Sequence, residues 1–201
     1  HCMCEAIPAL TSRHGLQLIV HNTEYPRLSN TGLLGWRALD QAWLYVHGHR
    51  ERRGSTLELP EGFEPLLLHP PAERSDLTEP DETESGPPRP LESVDRGAGP
   101  YVLLVPDGTW PQTRRMVRRI PALSRAPRVT LPEGLQSGYG QLRKAQRPGQ
   151  LSTLEAIAHA LGILEGEGLR DDLLALFGRF IAGTLACKRE QGRHIRPAAI
   201  G

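Results

Sequence analysis

Apolar and polar positions along the chain follow two different periods. Short apolar runs at 15–21, 42–46, 65–69, 101–105 and 127–131 are bounded by Pro, Gly or polar clusters and predict strands. Between and after them, apolar residues recur at three- and four-residue spacing. Trp110, Thr113, Met116, Val117 and Ile120 make one stripe and predict a helix over 110–120. Leu154, Ile157, Ala158, Leu161 and Leu164 make a second. Leu173, Leu174, Phe177, Phe180, Ile181 and Leu185 make a third, the inward face of a helix spanning roughly 169–189. A shorter helix over 33–39 follows Ser29, Asn30 and Thr31, any of which suits a cap. Strands alternating with helices predict an α/β fold, a mostly parallel sheet with helices on both faces.

The polar segments differ among themselves. Residues 72–99 are rich in Glu, Asp, Pro, Ser and Gly and poor in large apolar residues, which predicts a long mobile surface insertion. Residues 137–150 make a basic loop or short helix around Arg143, Lys144 and Arg147. Three shorter segments, 29–32, 107–110 and 152–155, come directly after strands or directly before helices. The first amides of a helix lack internal partners and carry partial positive charge. Each segment alone reads as an ordinary cap. Gathered in one pocket, they would hold a small ligand bearing a carboxylate or hydroxyls.

The segment Asp107-Gly108-Thr109-Trp110 carries the most chemistry. Thr109 and Gln112 have capping-box spacing, and Pro111 falls in the first turn, where a missing N–H costs little. Ser152 and Glu155 have the same spacing. Asp107 then stands just outside its helix, either as a turn residue or as a carboxylate offered to a ligand at a strand's carboxyl end. The helix behind it presents Arg114, Arg115, Arg118 and Arg119 largely off the apolar stripe. Guanidinium groups pair bidentately with phosphate oxygens, so this face is either simply solvated or a phosphate contact.

With 201 residues the chain suffices for one domain with a real core. A net charge of +1 means that nucleic-acid affinity has to come from local patches. No apolar run has membrane-spanning length and nothing resembles a secretory signal, so no membrane partner is expected. Cys2, Cys4 and Cys187 are too few for a disulfide scaffold, which favours a reducing, cytoplasmic setting. Cys2 and Cys4 make half of a zinc site and lack a second pair, so no metal is expected within this chain. The chain opens on His1, so residues upstream are expected in the full protein.

In order along the chain, Cys2-x-Cys4, Ser29-Asn30-Thr31-Gly32, Asp107-Gly108-Thr109-Trp110 and Ser152-Thr153-Leu154-Glu155-Ala156 resemble the DTW-domain family, from Cys2 to about Lys188. The resemblance implies a single DTW domain with a SPOUT-like fold, its carboxyl-terminal half threaded as a trefoil knot. It implies transfer of the 3-amino-3-carboxypropyl group from S-adenosylmethionine to N3 of a tRNA uridine, releasing 5′-methylthioadenosine. On the matching positions, it assigns Leu68, His69, Pro70, Asp107, Gly108, Thr109, Trp110, Ser152, Thr153 and Glu155 to the cofactor. Asn30, Thr31, Gly32, Arg114, Arg115, Arg118, Tyr139, Arg143 and Lys144 go to substrate RNA, and Asp107 to catalysis. The family's upstream C-x-x-C pair is missing, which leaves residues 1–14 as the remnant of a cysteine motif; zinc would need residues outside this chain. Gly140 stands where related sequences commonly carry a basic residue.

Uridine N3–H is weakly acidic, so Asp107 would accept its proton, orient the base or bind the amino group of the transferred arm. The sulfonium is already a good leaving group, so catalysis should rest on positioning. Trp110 or Tyr139 offers a surface for an unstacked base. Two other readings share these residues, a SPOUT-like RNA methyltransferase and a non-catalytic RNA-binding module; a third keeps the chemistry and moves it to ribosomal RNA. Target position and oligomeric state are not readable from the sequence.

Overall fold

The computed structural model describes residues 4–49, 56–68, 86–138 and 151–194, with side chains of the last helix as far as Cys187. Six strands form one sheet: β1 (Gly15–His21), β2 (Ala42–His47), β3 (Glu64–Leu68), β4 (Arg89–Pro90), β5 (Tyr101–Asp107) and β6 (Arg128–Thr130). Their order is β2-β1-β5-β3-β6-β4, and every described pairing is parallel. The helices are α1 (Gly32–Ala38), α2 (Trp110–Arg119), α3 (Pro121–Ser124), α4 (Thr153–Leu164) and α5 (Glu167–His194). The predicted strands and longer helices are all present, with boundaries shifted by at most two residues apart from a last helix that runs on to His194.

Both faces of the sheet are covered, as a parallel sheet requires. Leu16, Leu18 and Val20 of β1 and Leu103 and Val105 of β5 pack on one face against Leu154, Ile157 and Leu161 of α4 and Leu173, Leu176 and Phe177 of α5. Ile19, Val102 and Leu104 face the other way, against Met116, Val117, Ile120 and Leu123 of α2 and α3. Alternation along each strand thus divides the core into two layers. Each fully buried Leu or Ile contributes about 1.5–3 kcal/mol relative to exposure. Leu176, absent from the predicted inward stripe of α5, is fully buried.

The expected mobile insertion holds structure in its second half. Arg89–Pro90 adds β4 to the sheet beside β6, and a 3₁₀ turn at Leu91–Ser93 seats Leu91 and Val94 in the core. The Tyr101 hydroxyl donates to Asp95 O at 2.6 Å, and the buried Arg128 guanidinium donates to Gly86 O, by Nε at 3.1 Å. Two apolar anchors in a polar stretch leave no period to read, which is why the segment looked unstructured. Residues 72–85 of that expectation lie outside the described residues.

The topology creates one crevice. The chain leaves β1 for α1 on one face and leaves its neighbour β5 for α2 on the other. Where adjacent strands send their chains to opposite faces, the carboxyl ends open a gap in which α/β proteins bind ligands. Asp107, beside Val20 at the end of β5, stands at that gap.

Candidate active site

Three loop segments meet at the switch point. Thr109 caps α2, its amide donating to Gln112 Oε1 at 2.8 Å in the expected capping box. Ser152 caps α4 in the same way: Ser152 N donates to Glu155 Oε2 at 2.7 Å and Glu155 N to Ser152 Oγ at 3.3 Å. The start of α1 is built differently. Asn30 Oδ1 accepts from Leu33 N at 3.3 Å, while the Thr31 hydroxyl serves the neighbouring helix, accepting from Leu154 N at 3.4 Å. Thr31 therefore ties the first helix to the fourth.

Asp107 joins the third segment to these two. Thr153 Oγ1 donates to Asp107 Oδ1 at 2.8 Å. Asp107 Oδ2 is buried and makes no hydrogen bond among the described residues. A methyl group on Gly32 would stand 3.1 Å from Asp107 Oδ2, from Leu18 Cδ1 and from Thr153 Cγ2, so a side chain here would crowd all three. Burial pushes the Asp107 carboxyl above its ordinary value of 3.8, and the charge of Glu24 adds to the rise. The Thr153 hydroxyl and the side chain of Asn30 work against it. Such a carboxyl exchanges protons closer to neutrality than an exposed aspartate does.

Glu155 has both oxygens engaged. Besides Ser152 N, it accepts from Ser137 Oγ at 2.7 Å and Gly138 N at 2.7 Å. Its part here is to pin the chain at 137–138 to the start of α4. Leu68 is buried at the end of β3, one strand away from β1 across β5. On α2, Trp110 is half-buried at the first turn, and Arg114 is half-buried while Arg115 and Arg118 are exposed. His69, Pro70, Tyr139, Arg143, Lys144 and Cys2 lie outside the described residues. Among the described residues, no three His, Cys, Asp or Glu side chains gather to hold a metal ion, and no helix is long and apolar enough to cross a membrane. A cavity of about 360 Å³ between Leu10, Glu165 and Asp172 lies away from these segments.

The pattern did not single out two neighbours of the gap, Glu24 and His21. Glu24 pairs with Arg27 at 3.1 Å through Oε2, and its buried Oε1 has no partner among the described residues. His21 Nδ1 lies 2.9 Å from Thr23 Oγ1, which accepts from Gln112 Nε2 at 3.0 Å. His21 is thus wired to the cap of α2. A lone histidine at the end of an apolar strand carries no period, and only the sheet register brings it here.

Chemically, the gap combines two orphaned carboxylate oxygens, the positive ends of two helix dipoles, and an arginine-bearing helix. Orphaned buried acceptors call for an explanation, and a donor on a ligand is one. The family model for the DTW domain matches residues 1–185. The chain is 32% identical over 171 residues to tRNA-uridine aminocarboxypropyltransferase 2 of Drosophila melanogaster, covering 82% of this chain and 62% of that protein. No solved structure matches. Motif order and family model agree, and the chain belongs to the DTW-domain family.

Proposed function

We propose that this protein transfers the 3-amino-3-carboxypropyl group of S-adenosylmethionine to N3 of a uridine in tRNA, in the cytoplasm, with 5′-methylthioadenosine as by-product. The observation that carries the reading is the convergence of 30–32, 107–110 and 152–155 around Asp107. Family membership and the name of the Drosophila relative support the same chemistry.

The residues present fit such a donor. Its amino-acid arm has an ammonium and a carboxylate. The free oxygen of Glu24 suits the cation, and the positive ends of the α2 and α4 dipoles suit the anion. Gly108, Thr109, Ser152 and Thr153 would hold the arm, with Leu68, His69 and Pro70 closing the adenosine side. In the step itself, the bond from N3 to the arm's γ-carbon forms as the bond from that carbon to sulfur breaks, and the N3 proton leaves to Asp107. The raised affinity of Asp107 for a proton is what a general base at N3 requires. Pointing the longer arm rather than the methyl group at the base is a matter of pose. Trp110 and Tyr139 would face the unstacked base, with Asn30, Thr31 and Gly32 at its edge. Arg114, Arg115, Arg118, Arg143 and Lys144 would take RNA phosphates.

The proposal extends to a SPOUT-like, knotted carboxyl-terminal half. What bears on it is the strand order, in which β5 enters between β1 and β3, so the chain passes β3 to reach its place. Zinc enters only with ligands supplied from outside this chain.

Calorimetry and by-product analysis test the reading. S-adenosylmethionine should bind, and turnover with unmodified tRNA should release 5′-methylthioadenosine. Release of S-adenosylhomocysteine instead would make the protein a methyltransferase; absence of binding would make it a non-catalytic module.

A further inference from the structure

The carboxyl edge of the sheet carries polar chemistry that Asp107 does not use. β1 and β2 end together, with His21 opposite His47 in the register. The two imidazole centroids lie 6.4 Å apart, and the Tyr45 ring lies 6.5 Å from His47 on the same face of β2. That face continues into α2, whose Arg115 and Arg119 are four residues apart, share one side of the helix and are exposed.

We infer that the ends of β1 and β2, together with the Arg115–Arg119 side of α2, form the track that delivers RNA to the Asp107 gap, with a backbone phosphate held at the His21–His47 pair. The inference rests on the RNA reading above and adds His21, Tyr45, His47 and Arg119 to the Arg115 that reading names.

Geometry carries it in three steps. First, charge is mainly positive: arginines stand beside the imidazoles, and the acid facing His21, Glu24, is paired with Arg27. Such a surface suits a polyanion. Second, the imidazole of His21 is set as a donor. Thr23 N approaches His21 Nδ1 at 3.4 Å, and Thr23 Oγ1, already accepting from Gln112, can donate to the same nitrogen. With Nδ1 accepting, the proton sits on Nε2 and is available to a ligand. Third, Gln112 links this histidine to the cap of α2 that follows Asp107, so a phosphate here and a base at Asp107 share one rigid frame. Tyr45 adds a ring on which a flanking base can stack.

The state of the two imidazoles in the free protein gives the inference a signature. Burial lowers both below the usual 6.5; for His21 the Arg115 charge adds and Glu24 opposes, and for His47 the neighbouring His21 and Arg119 add. Both are therefore neutral at pH 7. A phosphate brought between them favours the charged form, so RNA binding takes up protons, and affinity rises as pH falls toward 6. Arginine and phosphodiester groups do not titrate in that range, so the histidine share of the slope is read from the variants below.

The test is anisotropy with a labelled, unmodified tRNA transcript at fixed salt, at pH 6.0, 7.0 and 8.0. The wild-type chain should bind at least about threefold more tightly at pH 6.0 than at 8.0, within the tenfold per unit that uptake of one proton allows. H47Q should halve the logarithmic slope and H21Q/H47Q should flatten it, with S-adenosylmethionine affinity retained as evidence of folding. R115S/R119S should weaken binding at every pH and reduce the salt dependence while keeping the pH slope. A slope that survives in H21Q/H47Q, or a wild type with none, overturns the inference and leaves the transferase reading intact. A steep histidine-dependent slope without group transfer keeps the track and removes the chemistry. Absence of tRNA binding at every pH overturns both.

Discussion

At the residue scale, Asp107 is held by the Thr153 hydroxyl, by the side chain of Asn30 and by one close approach. Thr153 favours its charged form, while burial favours the neutral one. Asp107→Asn removes the proton acceptor and keeps the shape, so transfer to tRNA should fall at least about 100-fold while the S-adenosylmethionine isotherm remains measurable. Full turnover would remove Asp107 from the chemistry. Thr153→Val deletes the interaction that lowers the carboxyl's proton affinity, so the acid limb of kcat/KM should move to higher pH; an unmoved limb would mean that another group titrates. Gly32→Ala places a methyl group 3.1 Å from three neighbours, including Asp107 Oδ2. Crowding of this kind costs about 1–3 kcal/mol, to be read from chemical denaturation, and activity should fall further than stability. The importance of Asp107, Thr109 and Ser152 was legible because strand end, cap and box spacing are written in adjacent residues. The roles of Thr31 and Gly32 were not, since their partners Leu154 and Asp107 are remote in sequence.

At the element scale, α4 does two jobs with one turn. Its capping box fixes the helix start, and the same Glu155 carboxylate gathers Ser137 and Gly138. The sequence showed the box, and hence the helix, directly. It could not show that Glu155 also fastens a loop some eighteen residues earlier, because a side chain's second partner leaves no trace in local spacing. Replacement of Glu155 by Ala should cost more than a cap alone. Loss of a cap costs about 1 kcal/mol, and stranded donors add about 1–3 kcal/mol. Urea denaturation of Glu155→Ala and Ser152→Ala side by side should rank the glutamate variant lower; equal losses would mean that the loop contact contributes nothing. The segment at 86–99 makes the converse case. Two buried apolar side chains and a guanidinium hold it, and neither a period of two nor of 3.6 announces them.

At the scale of the whole molecule, strand order is what turns separate caps into one site. Alternating elements predicted a parallel sheet with two covered faces, and the described strands agree. Which strands are neighbours was not readable, because the predicted strands are all apolar and equally able to pair. That β5 lies beside β1, sending its chain to the opposite face, is a property of the assembled sheet. The same assembly buries His14, which stacks on Tyr101 and accepts from Tyr101 N at 3.0 Å through Nδ1. Burial lowers its proton affinity below the usual 6.5, with Glu165 opposing. Its neutral form therefore favours folding: the contribution is present above pH 6.5 and is lost as pH falls through the lower folded-state value. Thermal midpoints should drop in that window, and His14→Gln should flatten the drop; an unchanged profile would assign the acid sensitivity elsewhere. The central claim, that three loops at one sheet edge hold a sulfonium donor with its amino-acid arm toward an extruded uridine, is tested most directly by mass. Unmodified tRNA is incubated with the protein and isotopically labelled S-adenosylmethionine, digested, and its nucleosides weighed. The account predicts a uridine heavier by one labelled aminocarboxypropyl group; a uridine heavier by a methyl group, or unchanged, would contradict it.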